Sequence, residues 1–167
     1  LYVGQAGGFL NVGGKVLGDL TYLQRRAVTG ANLNLTGYVV GDLNMIGTQF
    51  GDNVTLAAGS QVDGNVDTKL LGENDQMTLA GAIGQDSPPT TLVADLGAGN
   101  DRLTLADTAK TLAQKAAIFL GSGNDGCIIG KQAYFAWLNV DGGDGLDRLD
   151  APRGLDQMTV TNVESVT

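Results

Sequence analysis

The chain has 167 residues, 18 acidic against 10 basic, a formal charge of −8 and no histidine. That field excludes nucleic acid as a partner, since phosphate binding needs clustered Lys and Arg, and the lack of histidine removes most acid–base and metalloenzyme schemes that run near neutral pH. Glycine supplies 26 residues and apolar types 43%, which describes tight turns between short buried strands rather than a disordered chain.

Length predicts one domain spanning 1–167. No apolar run is long enough for a transmembrane segment. The single cysteine, Cys127, sits at an apolar strand position and reads as a small hydrophobe. The chain opens on Leu1, which predicts a processed product or an excised fragment.

The first stretch, 1–70, repeats a Gly-Asp/Asn turn. Gly18-Asp19-Leu20, Gly41-Asp42-Leu43 and Gly64-Asn65-Val66 recur every 23 residues. A second column runs through the whole chain as Leu10-Asn11-Val12, Leu33-Asn34-Leu35, Val54-Thr55-Leu56, Met77-Thr78-Leu79, Leu103-Thr104-Leu105, Cys127-Ile128-Ile129 and Leu149-Asp150-Ala151. Apolar residues flank a mostly polar middle one, the period of a half-buried strand. The outer pair is expected to point inward and the middle residue outward.

The second stretch, 71–167, carries a different turn. It ends LLGENDQMTL, LGAGNDRLTL, LGSGNDGCII and DGGDGLDRLD, with Asp75, Asp101, Asp125 and Asp147 spaced 26, 24 and 22 residues apart. A turn at that interval marks one supersecondary unit per period. The fold expected is all-β: a single-domain parallel β-solenoid (β-helix) of about seven coils, each close to the 23-residue period. A β-sandwich is the structural alternative. Only Ala106–Ala117 has helical composition, and it reads as a one-turn bulge or a loop. Tyr134, Phe135 and Trp137 are expected to thicken one coil.

The two ends fall at nearly the same phase. Val3–Leu10 aligns with Leu96–Leu103, and Asn162-Val163-Glu164 lies 23 residues after Asn139-Val140-Asp141. Terminal repeats of soluble solenoids are usually atypical caps, and Met158–Thr167 reads instead as a bare strand. A heterologous contact that does not close gives a filament, so head-to-tail stacking of the chain on itself is the expected partnership.

Gly142–Asp150 fits the nonapeptide G-G-x-G-x-D-x-U-x throughout and resembles the haemolysin-type, or RTX, calcium-binding repeat. Gly97, Gly99 and Asp101, then Gly121, Gly123 and Asp125, match its second half, as Gly143, Gly145 and Asp147 do in the full copy. At Asp75 the turn is degenerate, with Glu73 in place of the second glycine. The resemblance implies calcium, a hard cation that takes six to eight oxygens, shared by turns on adjacent coils. The RTX turn recurs every nine residues, whereas here the turns would form one column. Without an ion, Gly-Asn-Asp is also an ordinary turn, because Asn and Gly tolerate positive φ and Asx side chains bond nearby backbone N–H groups. The run VLGDL, VVGDL, VDGNV is similar to the coils of bactofilins, β-helical bacterial proteins that polymerise end to end.

These features point to a structural protein, a self-assembling subunit of an extracellular filament or surface layer, and not to an enzyme. The alternative is a calcium-dependent RTX-like stalk or binding module of a larger secreted adhesin or exoprotein. An enzyme of the polysaccharide-cleaving kind would need paired carboxylates in a cleft or calcium plus a basic residue. Arg102 and Arg148 are the basic residues placed for that. An outward rank of Asn11, Asn34, Thr55, Thr78 and Thr104 could order water on a flat face, although Ile128 and Asp150 break it.

Overall fold

Alternating side chains make the strands. Ala31–Leu35, Asn53–Leu56, Gln76–Leu79, Arg102–Leu105 and Gly126–Ile129 each bury every second residue. They pair parallel in constant register, so that Leu10, Leu33, Val54, Met77, Leu103, Cys127 and Leu149 form one vertical file. The computed structural model describes residues 1–5, 8–24, 27–84, 89–109, 115–152 and 157–167. Among them there is no helix, and the chain winds as a β-solenoid of about six turns at intervals of about 23 residues, close to the seven expected.

Three parallel sheets form the walls. Two have eight strands each and the third has four. The first sheet stacks Leu20, Leu43, Val66, Leu92, Ala116, Leu138 and Met158 on its inner face. The third sheet is narrow and stacks Val16, Val39, Val62 and Ile83. These files meet in a single apolar core of Leu, Val, Ile, Met and Ala. Each buried Leu, Val or Ile stabilises the fold by about 1.5–3 kcal/mol relative to exposure. The outward rank Asn11, Asn34, Thr55, Thr78, Thr104, Ile128 and Asp150 also stands in one file.

Three local expectations need correction. Lys115–Ala117 are strand residues at the start of Lys115–Gly123, not a helical bulge. Ala106–Ala109 form a turn, and 110–114 lie outside the described residues. Of the three aromatics near the C-terminus, only Phe135 enters the core, while Tyr134 and Trp137 are exposed. The last winding is shorter than the repeat suggests: Val140 pairs with Val160, not Val163. The glycine-rich extension at 142–146 has no counterpart there. Asn162, at φ 52°, makes the corner instead.

Candidate functional site

The recurring aspartate does not close its own turn. Its carboxylate reaches back to the preceding winding and accepts that winding's backbone N–H. Oδ1 of Asp75 takes the N–H of Asp52 at 2.6 Å, Asp101 that of Asp75 at 2.7 Å, Asp125 that of Asp101 at 2.7 Å, and Asp147 that of Asp125 at 2.8 Å. The sequence pattern missed both ends of this ladder. Asp52 accepts the N–H of Ala31 at 2.6 Å, and Glu164 accepts that of Asp147 at 2.7 Å. Asp52 was legible: like Asp75, it stands two residues before a Val or Met that opens a strand triplet. Glu164 was not, because its winding is shortened and its longer side chain spans the offset.

A second ladder runs the opposite way one residue earlier. Oδ1 of Asn74 accepts the N–H of Asn100 at 2.7 Å, Asn100 that of Asn124 at 2.8 Å, and Asn124 that of Leu146 at 3.0 Å. The Asn-Asp dipeptide therefore bonds forward with its first side chain and backward with its second. In the first stretch, the recurring Gly-Asp/Asn turns at Asp19, Asp42 and Asn65 bond forward. Asp19 accepts from Asp42, Asp42 from Asn65, and Asn65 from Thr91, at 2.7–2.9 Å.

The glycines are demanded by the stacking. Gly121 and Gly143 hold φ of 106° and 92°, which L side chains avoid. A Cβ on Gly121 would lie 1.7 Å from the carbonyl oxygen of Gly97, and one on Gly143 would lie 1.8 Å from that of Gly121. Gly123 and Gly145 form the second such file, following Gly99. The glycine run is itself part of the sheet, with Gly121, Ser122 and Gly123 paired to Gly143, Asp144 and Gly145. In the degenerate turn, Leu71 and Glu73 occupy the positions of Gly97 and Gly99 in sequence and adopt φ of 90° and 62°.

The second carboxylate oxygen sets the chemistry of the site. Asp52 has both oxygens engaged, since Thr48 donates its N–H to Oδ2 at 2.7 Å and its hydroxyl to Oδ1 at 2.8 Å. Asp75, Asp101, Asp125 and Asp147 have no such neighbour. Their Oδ2 atoms are buried without a hydrogen-bond partner among the described residues, in residues at most 4% exposed. Burial raises the carboxyl of Asp75 to about 8, opposed by the N–H of Asp52 and reinforced by the charges of Asp52 and Asp101. Burial raises Asp101 to about 6, with Asp125 adding to it. Asp125 and Asp147 are raised for the same first reason.

Four buried oxygens lacking a donor, at the roughly 4.8 Å spacing of strands, amount to a local deficit of positive charge. The donor set suits calcium in type: carboxylate oxygens, with backbone carbonyls in the same turns, such as those of Gly97 and Ser122. Those carbonyls already accept N–H groups from Ser122 and Gly99, with one lone pair left on each. No three acidic or cysteine side chains converge among the described residues, so carboxylates of successive windings would act in pairs. Of the residues expected to hold calcium, Asp75, Asp101, Asp125 and Asp147 share one file, and Gly97, Gly99, Gly121, Gly123, Gly143 and Gly145 lie beside it. No family model, curated protein or solved structure matches this chain.

Proposed function

We propose that the chain is a structural protein whose windings are clamped by polar ladders and whose acidic file holds calcium between successive aspartates. The observation that carries this reading is the row of buried, donor-less Oδ2 atoms on Asp75, Asp101, Asp125 and Asp147. A buried carboxylate is costly unless paired, and a hard cation would pair it. The RTX-like turns point the same way, and the reading places the chain outside the cell, where calcium is abundant.

Self-assembly is the second part of the proposal. Each contact between windings is heterologous and has the same sense. In the second stretch Asp75, Asp101, Asp125 and Asp147 point back while Asn74, Asn100 and Asn124 point forward, and in the first stretch Asp19, Asp42 and Asn65 point forward, so a winding offers different groups above and below. A second copy could add in that register, and a contact of this type propagates as a filament. The bactofilin-like Gly-Asp/Asn coils agree with such a use. Negative-stain images and sedimentation, with calcium and with chelator, test it. Filaments that form with calcium support the polymer. A monomeric particle that folds on calcium supports instead a module of a larger secreted protein. A particle indifferent to calcium in both respects would sink the reading.

A further inference from the structure

We infer that the outward face of the second sheet carries a binding site for an acidic glycan, one in which carboxylated sugars alternate with neutral ones. The inference does not rest on calcium or on assembly. Arg102, Gly126 and Arg148 stand in one outward file on adjacent strands. Two strand spacings separate the arginines, about 9.5 Å. Both side chains are exposed, and neither guanidinium has a hydrogen bond or ion pair among the described residues, where the ion pair found is Lys69–Asp95.

Between them Gly126 leaves a notch: a Cβ there would meet nothing within 4 Å. The notch belongs to a recess of about 500 Å³, lined also by Asn124, Ile128 and Asp150. Its chemistry is divided along its length. A guanidinium at each end favours carboxylates, which it can bind through two parallel N–H bonds. Asn124 commits its Oδ1 to the N–H of Leu146, which leaves its NH₂ to donate. Asp150 accepts hydroxyls. The buried carboxylate of Asp125, next to Gly126 in the chain, also lines the recess and disfavours an anion at the notch. A ligand that fits carries acid, neutral polyol and acid in that order. Ile128 gives the flat side of a sugar ring an apolar floor.

The test is calorimetric titration with a hyaluronan oligosaccharide, in chelator and at low salt. The same oligosaccharide methyl-esterified and a chondroitin sulfate oligosaccharide serve as comparisons. Binding should weaken as salt rises. Arg102→Ala and Arg148→Ala should each lower affinity about tenfold, and the double variant should abolish it. Gly126→Leu should block the notch with both arginines present. Both arginines are exposed and a side chain at 126 meets open space, so thermal unfolding should stay within a degree or two of the parent. No binding by the parent protein, equal binding of the ester, preference for the sulfated chain, or undiminished binding by the double variant would each overturn the assignment.

Discussion

The backbone N–H of Asp101 donates to Oδ1 of Asp125, 2.7 Å away and 24 residues later, while Oδ2 of the same carboxylate has no partner. One oxygen holds two windings together and the other stands ready for a positive charge. Substitutions separate these roles. Asp125→Asn keeps an acceptor for the N–H and removes the charge. In chelator it should unfold at a temperature equal to or above that of the parent, and it should lose part of any calcium response. Asp125→Ala leaves the N–H of Asp101 buried without a partner and should cost about 1–3 kcal/mol. Thermal melts of both variants, with and without calcium, check this.

Glycine substitution should discriminate sharply by position. Gly121→Ala and Gly143→Ala place a methyl against the carbonyl of the winding below, at 1.7 and 1.8 Å, and at positive φ. Each should cost several kcal/mol, at the severe end for a point change. Gly126→Ala meets open space and should be near neutral. Denaturant midpoints for the three variants provide the comparison.

The degenerate turn is strained where its neighbours are not. Leu71 at φ 90° and Glu73 at φ 62° sit where the next windings use glycine. Glu73 is exposed, so Glu73→Gly loses no packing and should stabilise by about 1 kcal/mol. Leu71→Gly relieves more strain but gives up a half-buried side chain, and should gain less than the backbone term alone. Chemical denaturation of both variants would show whether the order holds.

Acid should strengthen the protein when calcium is withheld. A carboxyl raised above its unfolded value contributes stability that is complete below that value and is lost as pH rises through the folded one. For Asp101 and Asp75 the loss runs from about 3.8 up through about 6 and about 8. Burial shifts Asp125 and Asp147 in the same direction. In chelator the melting temperature should therefore fall across that interval, and Asp75→Asn should remove the upper part of the fall. A melting temperature that rises over the interval would contradict the buried, unpaired state of the file.

Much of this architecture is legible because a solenoid repeats its physics. Leu33, Val54, Met77 and Leu103 share one file, which follows from triplets that alternate apolar and polar at a steady interval. The aspartate column was also visible, because Asp75, Asp101, Asp125 and Asp147 precede those triplets at a fixed offset. What the pattern hid is directional. Nothing in the string Asn-Asp says that Asn100 bonds forward to Asn124 while Asp101 bonds back to Asp75, since both bonds join residues more than twenty positions apart. The 23-residue interval points to Val163 as the partner of Val140, and Val160 and Val163 are both apolar. Only the missing glycine extension shows that Val160 is the one that pairs with Val140. The pairing of Asp52 with Thr48, which spares that aspartate an orphaned oxygen, depends on a tight corner no spacing rule describes.

Amide hydrogen exchange, residue by residue, with calcium and then with chelator, addresses the acidic file most directly. The account predicts that calcium slows exchange at the N–H groups of Asp75, Asp101 and Asp125, which donate into carboxylates with an orphaned oxygen, and leaves those of Asp42 and Asn65 in the first stretch little changed. Equal exchange in both buffers at Asp75, Asp101 and Asp125 would contradict it.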